Sequence, residues 1–449
     1  MPEVSTHRLS WSTWGWSLLL LLSIAWLGYG VAQTTFDRIL PAFALAFLAY
    51  VQLMRGPALP LYFWLAVAIL LRLILAPAWP VLSDDLYRFV WDGRLLIHGY
   101  NPFDHVPSWY LEHSQRIPGI DADLFAQLNS PEYYTIYPPV AQAVFALSCW
   151  LFPMSVGGSM IVMKLLLLAA ELGSMLLLVR LLRLWELPGS QAGWYALNPL
   201  VIVEITGNLH FEGFMIFFLL LAVWWLVRAR WSAAVVALAL SIASKLIPLM
   251  LLPFLVRRIG WRRSWWFFPL LGSVFLLLWA PLLDVELVRH LANSLDLYFR
   301  QFEFNASGYY LLRWVGFQLA GYNLIDWIGP ILALVVLVLI VGRAILDKRT
   351  SWSSLPGLWL FATTVYLALA TTVHPWYLCL PVALATLTNW RYAIVWSGLA
   401  VLSYSHYHAG LFQEKYGLIA LEYGLTLVVV IFEWRRIRLH HPNEHIPLG

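Results

Sequence analysis

The chain has 449 residues, of which 28 are Lys or Arg and 24 are Asp or Glu. Charged residues make up 12% of it, against about 25% in an ordinary soluble domain. With 61% hydrophobic residues and a mean hydropathy of +0.73, the composition excludes a soluble enzyme and predicts a polytopic membrane protein surrounded by membrane lipids. The net charge of +4 is spread over several short loops, so nucleic acid is not an expected partner.

Long apolar runs follow one another along the chain and predict helices, because backbone groups in lipid must find hydrogen-bond partners within their own segment. At about 20 residues per crossing, we expect a single all-α domain over 1–449 with about eleven to thirteen transmembrane helices. The first run, 16–31, lacks a small-residue cleavage site and is interpreted as an anchor.

The longest polar stretch covers 80–136 and opens with an acidic pair, Asp84 and Asp85. Ser83 is suited to cap a helix, and the apolar residues after it recur at helical spacing, which predicts an amphipathic helix along the membrane surface. An acidic first turn can merely complement the helix dipole. Two adjacent carboxylates at the exit of a membrane span also suit a general base and a second group that orients a sugar hydroxyl or a divalent cation.

Two apolar runs are short for a membrane span. Residues 138–152 open with two prolines and follow a tyrosine-rich segment, and 308–321 are of similar length. We expect both to be re-entrant or interfacial helices. This interpretation also keeps Arg180 and Arg183 on the cytoplasmic side.

The middle of the chain places ionisable residues inside apolar runs. Lys164 and Glu171 share a helix face and are expected to be structural, held through a neighbouring helix. Glu204, His210 and Glu212 fall near the outer end of a crossing, where ionisable groups are functional by default because an unpaired charge is costly in lipid.

Lys245 interrupts the apolar run 231–256, which predicts two half-helices that meet at this residue. An ammonium at such a break suits an anion such as a lipid phosphate. His374, Trp376 and Tyr377 end another crossing on the outer face. Arg72, His406 and His408 are weaker candidates.

Four short loops rich in Lys and Arg are expected in the cytoplasm. They contain Arg228 and Arg230; Arg257, Arg258, Arg262 and Arg263; Arg343, Lys348 and Arg349; and Arg435, Arg436 and Arg438, the last group opening a basic tail over 434–449. Five polar loops should then converge on the extracytoplasmic side, at 80–136, 207–212, 284–307, 374–376 and 404–415.

No cofactor is required by the sequence. Cys149 and Cys379 both lie in apolar runs, which argues against a disulfide. No spacing of His and carboxylate residues indicates a dedicated metal centre, so Mg²⁺ or Mn²⁺ stays optional. Because no nucleotide-binding motif is present either, an activated substrate is expected to come from a lipid carrier.

Several of these motifs together resemble bacterial GT-C superfamily glycosyltransferases, in the branch similar to polyprenyl-phosphate-mannose-dependent mannosyltransferases. The resemblance covers nearly the whole chain in order. It rests on SDDLYRFVWDGR at 83–94, GYNPF at 99–103, IYPPVAQ at 136–142, NPL with GNLHFEG within 198–213, and HPWY at 374–377.

The resemblance implies transfer of a sugar, with mannose favoured, from a polyprenyl-phosphate donor with inversion at the anomeric carbon. It implies that Asp84 is the general base and Asp85 the second carboxylate. The remaining implied residues are Lys245, Arg88, Arg94 and His374 for the donor phosphate, and Tyr137, Asn208, His210, Glu212, Trp376 and Tyr377 for the sugar or acceptor.

The chain shows no long soluble domain, so we expect a lipid-linked or small glycan as acceptor. The expected location is a bacterial cytoplasmic membrane, with the active site on the extracytoplasmic side. A lipid-linked-glycan transporter is the alternative, since it also needs a cationic phosphate site but no general base. A scaffold without catalytic activity is a third interpretation.

Overall fold

The computed structural model describes residues 10–56, 59–113, 116–408 and 411–440, so residues 441–449 of the expected basic tail lie outside the described part. Regular structure in the described part is almost entirely helical, which confirms an all-α polytopic membrane protein. Its sheet consists of two two-residue strands, β1 (Tyr407–His408) and β2 (Leu411–Phe412), paired antiparallel with Tyr407 opposite Phe412.

The helices follow one another without a long strand between them. In the first half they are α1 (Trp11–Tyr29), α2 (Phe36–Arg55), α3 (Leu61–Leu75), α4 (Asp85–Ile97), α5 (Pro107–Glu112), α6 (Ala122–Phe125), α7 (Pro139–Leu151), α8 (Val156–Leu184), α9 (Gly193–Ala196), α10 (Pro199–Val201) and α11 (Glu212–Val227). In the second half they are α12 (Trp231–Ser244), α13 (Pro253–Ile259), α14 (Trp261–Trp279), α15 (Leu287–Arg300), α16 (Gly308–Ala320), α17 (Ile325–Leu346), α18 (Leu355–Leu369), α19 (Cys379–Thr386), α20 (Tyr392–Leu399) and α21 (Tyr416–His440).

Shorter helical turns join these helices. A π-helical segment, Ile202–Gly207, continues α10. The 3₁₀ turns are Gly189–Ala192, Ile247–Leu251, Ala280–Leu282, Trp352–Ser354, Pro375–Leu378 and Ala400–His406.

Six helices in the described residues are long and apolar enough to cross a membrane, or seven if the bent pair Pro199–Gly207 and Glu212–Val227 counts as one span. Four further apolar helices have 10–17 residues. The expected eleven to thirteen crossings are therefore reached only if such short helices also cross. Proline and polar residues divide several apolar runs, so one run does not correspond to one long helix.

The predicted break at Lys245 is present. Helix α12 ends at Ser244, and Lys245 has an extended backbone with φ −161° and ψ 140°, which confirms the break at this residue. The two short runs form α7 and α16, each of 13 residues. Neither is among the six long candidate spans.

Helix α4 differs from the prediction of an amphipathic helix on the membrane surface. Most of its circumference is buried. Even on its polar side, Arg88 and Asp92 are buried and pair with each other at 2.9 Å. Gly93 brings α4 against α7, with the carbonyl oxygen of Phe145 only 2.6 Å from where a Cβ would lie. The residue at the N-cap position is Asp84 and not Ser83.

The buried charges of the first half are held by protein groups. Glu171 on α8 pairs with Arg72 on α3 at 2.6 Å and accepts a hydrogen bond from Thr206 at 2.6 Å. Lys164 donates to the backbone carbonyl of Leu75 at 2.9 Å, at the end of α3. The two residues are thus structural as expected, although they do not pair with each other.

Three of the four predicted cytoplasmic loops meet at one end of the helices. Arg263 in the second loop lies 5.0 Å from the centre of the Trp231 ring, directly after Arg230 in the first. Arg180 and Arg228 lie 5.8 Å and 4.0 Å from the centre of the same ring, that of Trp224. Arg258 pairs with Asp347 at 2.9 Å, so a second pair of basic loops also meets. Helix α11 runs from this end over 16 residues to Glu212, a rise of about 24 Å.

Candidate functional site

Four aromatic rings stack in a column where the predicted extracytoplasmic loops meet. Phe304 lies 4.6 Å from His374, His374 lies 4.3 Å from Trp376, and Trp376 lies 3.8 Å from His210 between ring centroids. The interplanar angles are 27°, 4° and 17°, so the contacts are face to face. The column joins the loops 284–307, 374–376 and 207–212.

The acidic pair lies beside this column, at the start of α4. The backbone N–H of Leu82, two residues before Asp84, donates to the Asn208 side chain in the loop 207–212 at 3.2 Å. Burial raises the pKa of the Tyr407 phenol, and the charges of Asp84 and Asp85 add to the rise. Tyr407 in turn packs 5.8 Å from Phe304. All five predicted polar loops therefore contribute a residue to one region.

The two carboxylates have different surroundings. Asp85 is half-buried and accepts a hydrogen bond from the Asn129 side chain at 3.0 Å. Asp84 is exposed, yet partial desolvation by the surrounding protein and, second, the adjacent Asp85 charge raise its pKa. A carboxylate with a raised pKa is a stronger base, which suits proton abstraction from a hydroxyl.

A buried hydrogen-bond network fixes His210 at the inner end of the column. Its Nδ1 lies 2.9 Å from the backbone carbonyl oxygen of Glu204 and 3.2 Å from the Glu204 carboxylate. That carboxylate also accepts hydrogen bonds from Asn208 at 3.3 Å and from the Tyr404 hydroxyl. The helix is π-helical at Glu204, which turns this side chain toward the network.

Lys245 and Glu212 form an ion pair next to the column. Glu212 is the first residue of α11 and is 1% exposed, whereas the side chain of Lys245 is 29% exposed at the break after α12. The ammonium also lies 4.8 Å from the centre of the Tyr377 ring. Because an ammonium has three N–H donors, Glu212 leaves further donors for an anion.

His374 carries no charge at neutral pH. Burial lowers the pKa of its imidazole to about 3, and the neighbouring His210 and Lys245 add to this effect. It can therefore offer a neutral N–H to an anion, and it cannot contribute a positive charge.

Three predicted site residues are engaged by other groups of the protein. Arg88 donates to Asp92 and to the backbone carbonyls of Ser130 and Tyr133, the last at 2.9 Å. Arg94 donates to the carbonyls of Pro153 and Gly119 at 2.9 and 2.6 Å. The Tyr137 ring packs against Phe89 and Phe145, with centroids 4.9 and 5.5 Å away.

The structure adds residues that the sequence did not single out, chiefly Phe304, Tyr404 and Tyr407. Phe304 is fixed by backbone hydrogen bonds with Thr371 at 3.1 Å and Val373 at 2.8 Å. The signal available in the sequence was only their position inside polar loops. Aromatic residues are frequent throughout the chain, so no spacing distinguished these three.

The described residues contain no group of three His, Cys, Asp or Glu side chains close enough to hold a metal ion. Cys149 and Cys379 are both buried and free.

Comparison with known proteins shows a likeness to mannosyltransferases. A family profile described as alpha-(1→6)-mannopyranosyltransferase, N-terminal domain, matches residues 4–260. The chain is also 26% identical over 269 residues to alpha-(1→6)-mannopyranosyltransferase A of Mycobacterium tuberculosis, a match that covers 57% of this chain and 46% of that protein. The chain thus aligns with about half the length of this curated relative. The profile includes Asp84, His210 and Lys245, whereas His374 and Tyr407 lie beyond it.

Proposed function

The chain belongs to the alpha-(1→6)-mannopyranosyltransferase family, and on that basis we propose that it transfers mannose from a polyprenyl-phosphate donor to a glycan or lipid-linked acceptor. The observation that carries the proposal is the ring column, with Lys245 beside it at Tyr377 and the segment before the acidic pair bound to Asn208. A glycosyl transfer needs a base on one side of the anomeric carbon and a cationic phosphate site on the other.

In this proposal Asp84 removes the proton from the acceptor hydroxyl as its oxygen attacks the anomeric carbon. The bond between that carbon and the phosphate oxygen breaks, and the configuration inverts. The electron pair leaves with the lipid phosphate, whose charge the free N–H donors of Lys245 stabilise. The neutral His374 donates a further hydrogen bond, and Asp85 orients a substrate hydroxyl.

We assign the sugar and acceptor hydroxyls to the region around His210, Glu212, Trp376 and Tyr377. Asn208 contributes indirectly, since its donor is directed to Glu204. We omit Arg88, Arg94 and Tyr137 from the substrate site. The two guanidinium groups already bind backbone carbonyls, and the tyrosine ring belongs to a packed aromatic cluster.

We further propose that the acidic pair faces the extracytoplasmic side of a bacterial cytoplasmic membrane. Support comes from the clustering of the basic loops at the far end of α11, which the positive-inside rule assigns to the cytoplasm. Cysteine labelling at Glu112, an exposed residue of the loop 80–136, and at Leu439, exposed near the end of α21, would test this orientation. Modification of both positions from the same side would contradict it.

The function is tested by incubating the purified protein in lipid with polyprenyl-phosphate-mannose and cell-envelope lipids. Mass spectrometry should detect products heavier by one hexose with the wild type and with Asp123→Asn, an exposed carboxylate of the same loop. Asp84→Asn should lose the product while the donor still raises its thermal stability. An unchanged yield in Asp84→Asn would exclude this base, and donor binding without any product in the wild type would favour a transporter.

A further inference from the structure

Two buried polar atoms at the inner end of the ring column have no hydrogen-bond partner. They are Nε2 of His210 and Oε2 of Glu212. The two residues are 3% and 1% exposed. A buried polar atom without a partner is costly, so a ligand that supplies the missing hydrogen bond gains binding free energy at such an atom.

The network around His210 determines which kind of partner Nε2 takes. Its Nδ1 lies 2.9 Å from the carbonyl oxygen of Glu204, and a carbonyl oxygen can only accept a hydrogen bond. Nδ1 therefore carries the ring proton. In a neutral imidazole the other nitrogen, Nε2, is then a hydrogen-bond acceptor.

Glu212 offers an atom of the same polarity. Its Oε1 is paired with Lys245, whereas its Oε2 is the free oxygen. An anion such as phosphate would be repelled by these lone pairs. It therefore belongs on the outer side of Lys245, and a group with two O–H donors fits the inner side.

The neighbouring rings complete the recognition of such a group. Trp376 and Tyr377 are half-buried, and the Trp376 ring contacts His210 at 3.8 Å. An aromatic face beside two hydrogen-bond acceptors matches a pyranose, which has C–H groups on one face and hydroxyls at its edge.

We infer that His210 and Glu212 form a two-acceptor subsite that takes hydrogen bonds from two hydroxyls of the donor sugar. This inference rests on the proposed function, since it assumes a sugar attached to the phosphate that Lys245 binds. Recognition by two hydrogen-bond acceptors distinguishes this subsite from one that donates to sugar oxygens.

Fluorinated donors test the polarity, because fluorine replaces the size of a hydroxyl and cannot donate. Polyprenyl-phosphate-mannose and its 2-, 3-, 4- and 6-monodeoxyfluoro and monodeoxy analogues are titrated onto the protein in lipid without an acceptor, so that no donor is consumed. We expect about a tenfold loss of affinity at each of two positions. At these positions the fluoro and deoxy analogues should bind equally weakly.

Variants assign each hydroxyl to its residue. In His210→Ala, the fluoro or deoxy substitution at one of the two positions should no longer weaken donor binding. In Glu212→Ala the same should hold at the other position, as in a double-mutant cycle. Thermal unfolding checks that both variants are folded, and the wild-type series decides the polarity if one is not.

Fluoro analogues that bind as tightly as the parent at every position would overturn the inference, as would losses that persist in both folded variants. In either case, if Asp84→Asn loses the product that the wild type forms, the proposed transferase function is still supported. No binding of the parent donor would instead contradict the proposed function, and the subsite with it.

Discussion

Asn208 holds the backbone of Leu82 by accepting a hydrogen bond from its N–H at 3.2 Å. The same carboxamide donates to Glu204 at 3.3 Å. Leu82 precedes Asp84 by two residues, so one buried side chain fixes the acidic pair relative to the network that orients His210. The proposed base and the proposed sugar subsite are connected through this residue.

Replacing Asn208 by alanine should lower turnover by about tenfold or more, because a small displacement of a catalytic group is costly in rate. The change should be measured as kcat with donor KM in parallel, since substrate binding depends less on the Asp84 position. Asn101→Ala is the matched control. Its carboxamide also bridges two segments, at 3.0 and 3.2 Å, outside the pocket. A similar loss of kcat in both variants would contradict the role of Asn208.

The pH dependence of transfer should follow the Asp84 carboxyl. Desolvation and the Asp85 charge raise its pKa, and the base acts only when deprotonated, so activity should fall as the pH drops through this raised pKa. In Asp85→Asn the like charge is removed. The pKa of Asp84 should fall, and the acid limb of kcat/KM should move to lower pH.

The asparagine in this variant can still accept the hydrogen bond from Asn129, which limits the change to the charge. Complete pH profiles of the wild type and Asp85→Asn make the comparison. A limb that stays in place or moves to higher pH would show that another group controls the rate.

Lys245→Met should raise the donor KM by about tenfold or more, because it removes the charge that binds phosphate while keeping most of the length of the side chain. It also leaves the Glu212 carboxylate unpaired, at a cost of about 1–3 kcal/mol in stability. Donor-dependent kinetics and thermal unfolding measure the two effects separately.

The double variant Lys245→Met with Glu212→Gln separates the two causes. Removing the unpaired charge should restore most of the thermal stability. Because Glu212 itself belongs to the proposed sugar subsite, Glu212→Gln alone is the reference, and the double variant should have a donor KM about tenfold or more above that of Glu212→Gln. A donor KM equal to that of Glu212→Gln would mean that Lys245 acts only by supporting Glu212.

The sequence predicted the helical fold and the break at Lys245, because both depend on local features. Apolar length, a proline and a lone lysine in an apolar run are readable without knowledge of tertiary contacts. The convergence of the polar loops could also be predicted, because the Lys and Arg residues of the other loops assign those loops to the cytoplasm. These predictions depend on the need for backbone hydrogen bonds in lipid and on the Lys and Arg content of each loop, and both act on one segment at a time.

The environment of α4 was not readable in the same way. The resemblance assigned Arg88 and Arg94 to the donor phosphate, whereas the carbonyl groups that they bind lie far along the chain, at Tyr133, Gly119 and Pro153. A hydrophobic pattern gives the helix but not the residues that cover its polar side. Phe304 and Tyr407 were missed for the same reason, since each acquires its role from contacts made in the tertiary fold.

The buried pair of Arg72 and Glu171 provides a test of stability outside the pocket. Both side chains are fully buried, at 2.6 Å from each other, and Arg72 also donates to the carbonyls of Ala68 and Ala196. Arg72→Leu should destabilise the protein by about 3–5 kcal/mol, because it leaves an uncompensated buried carboxylate. Thermal unfolding in detergent measures the loss.

Arg289→Leu is the matched control, because its pair with Glu286 at 3.1 Å is mostly exposed and screened by solvent. It should change stability by less than about 1 kcal/mol. Adding Glu171→Leu to Arg72→Leu should recover part of the loss, since two apolar side chains can replace a buried ion pair. Equal losses of stability in Arg72→Leu and Arg289→Leu would show that breaking the buried pair costs no more than breaking the exposed one.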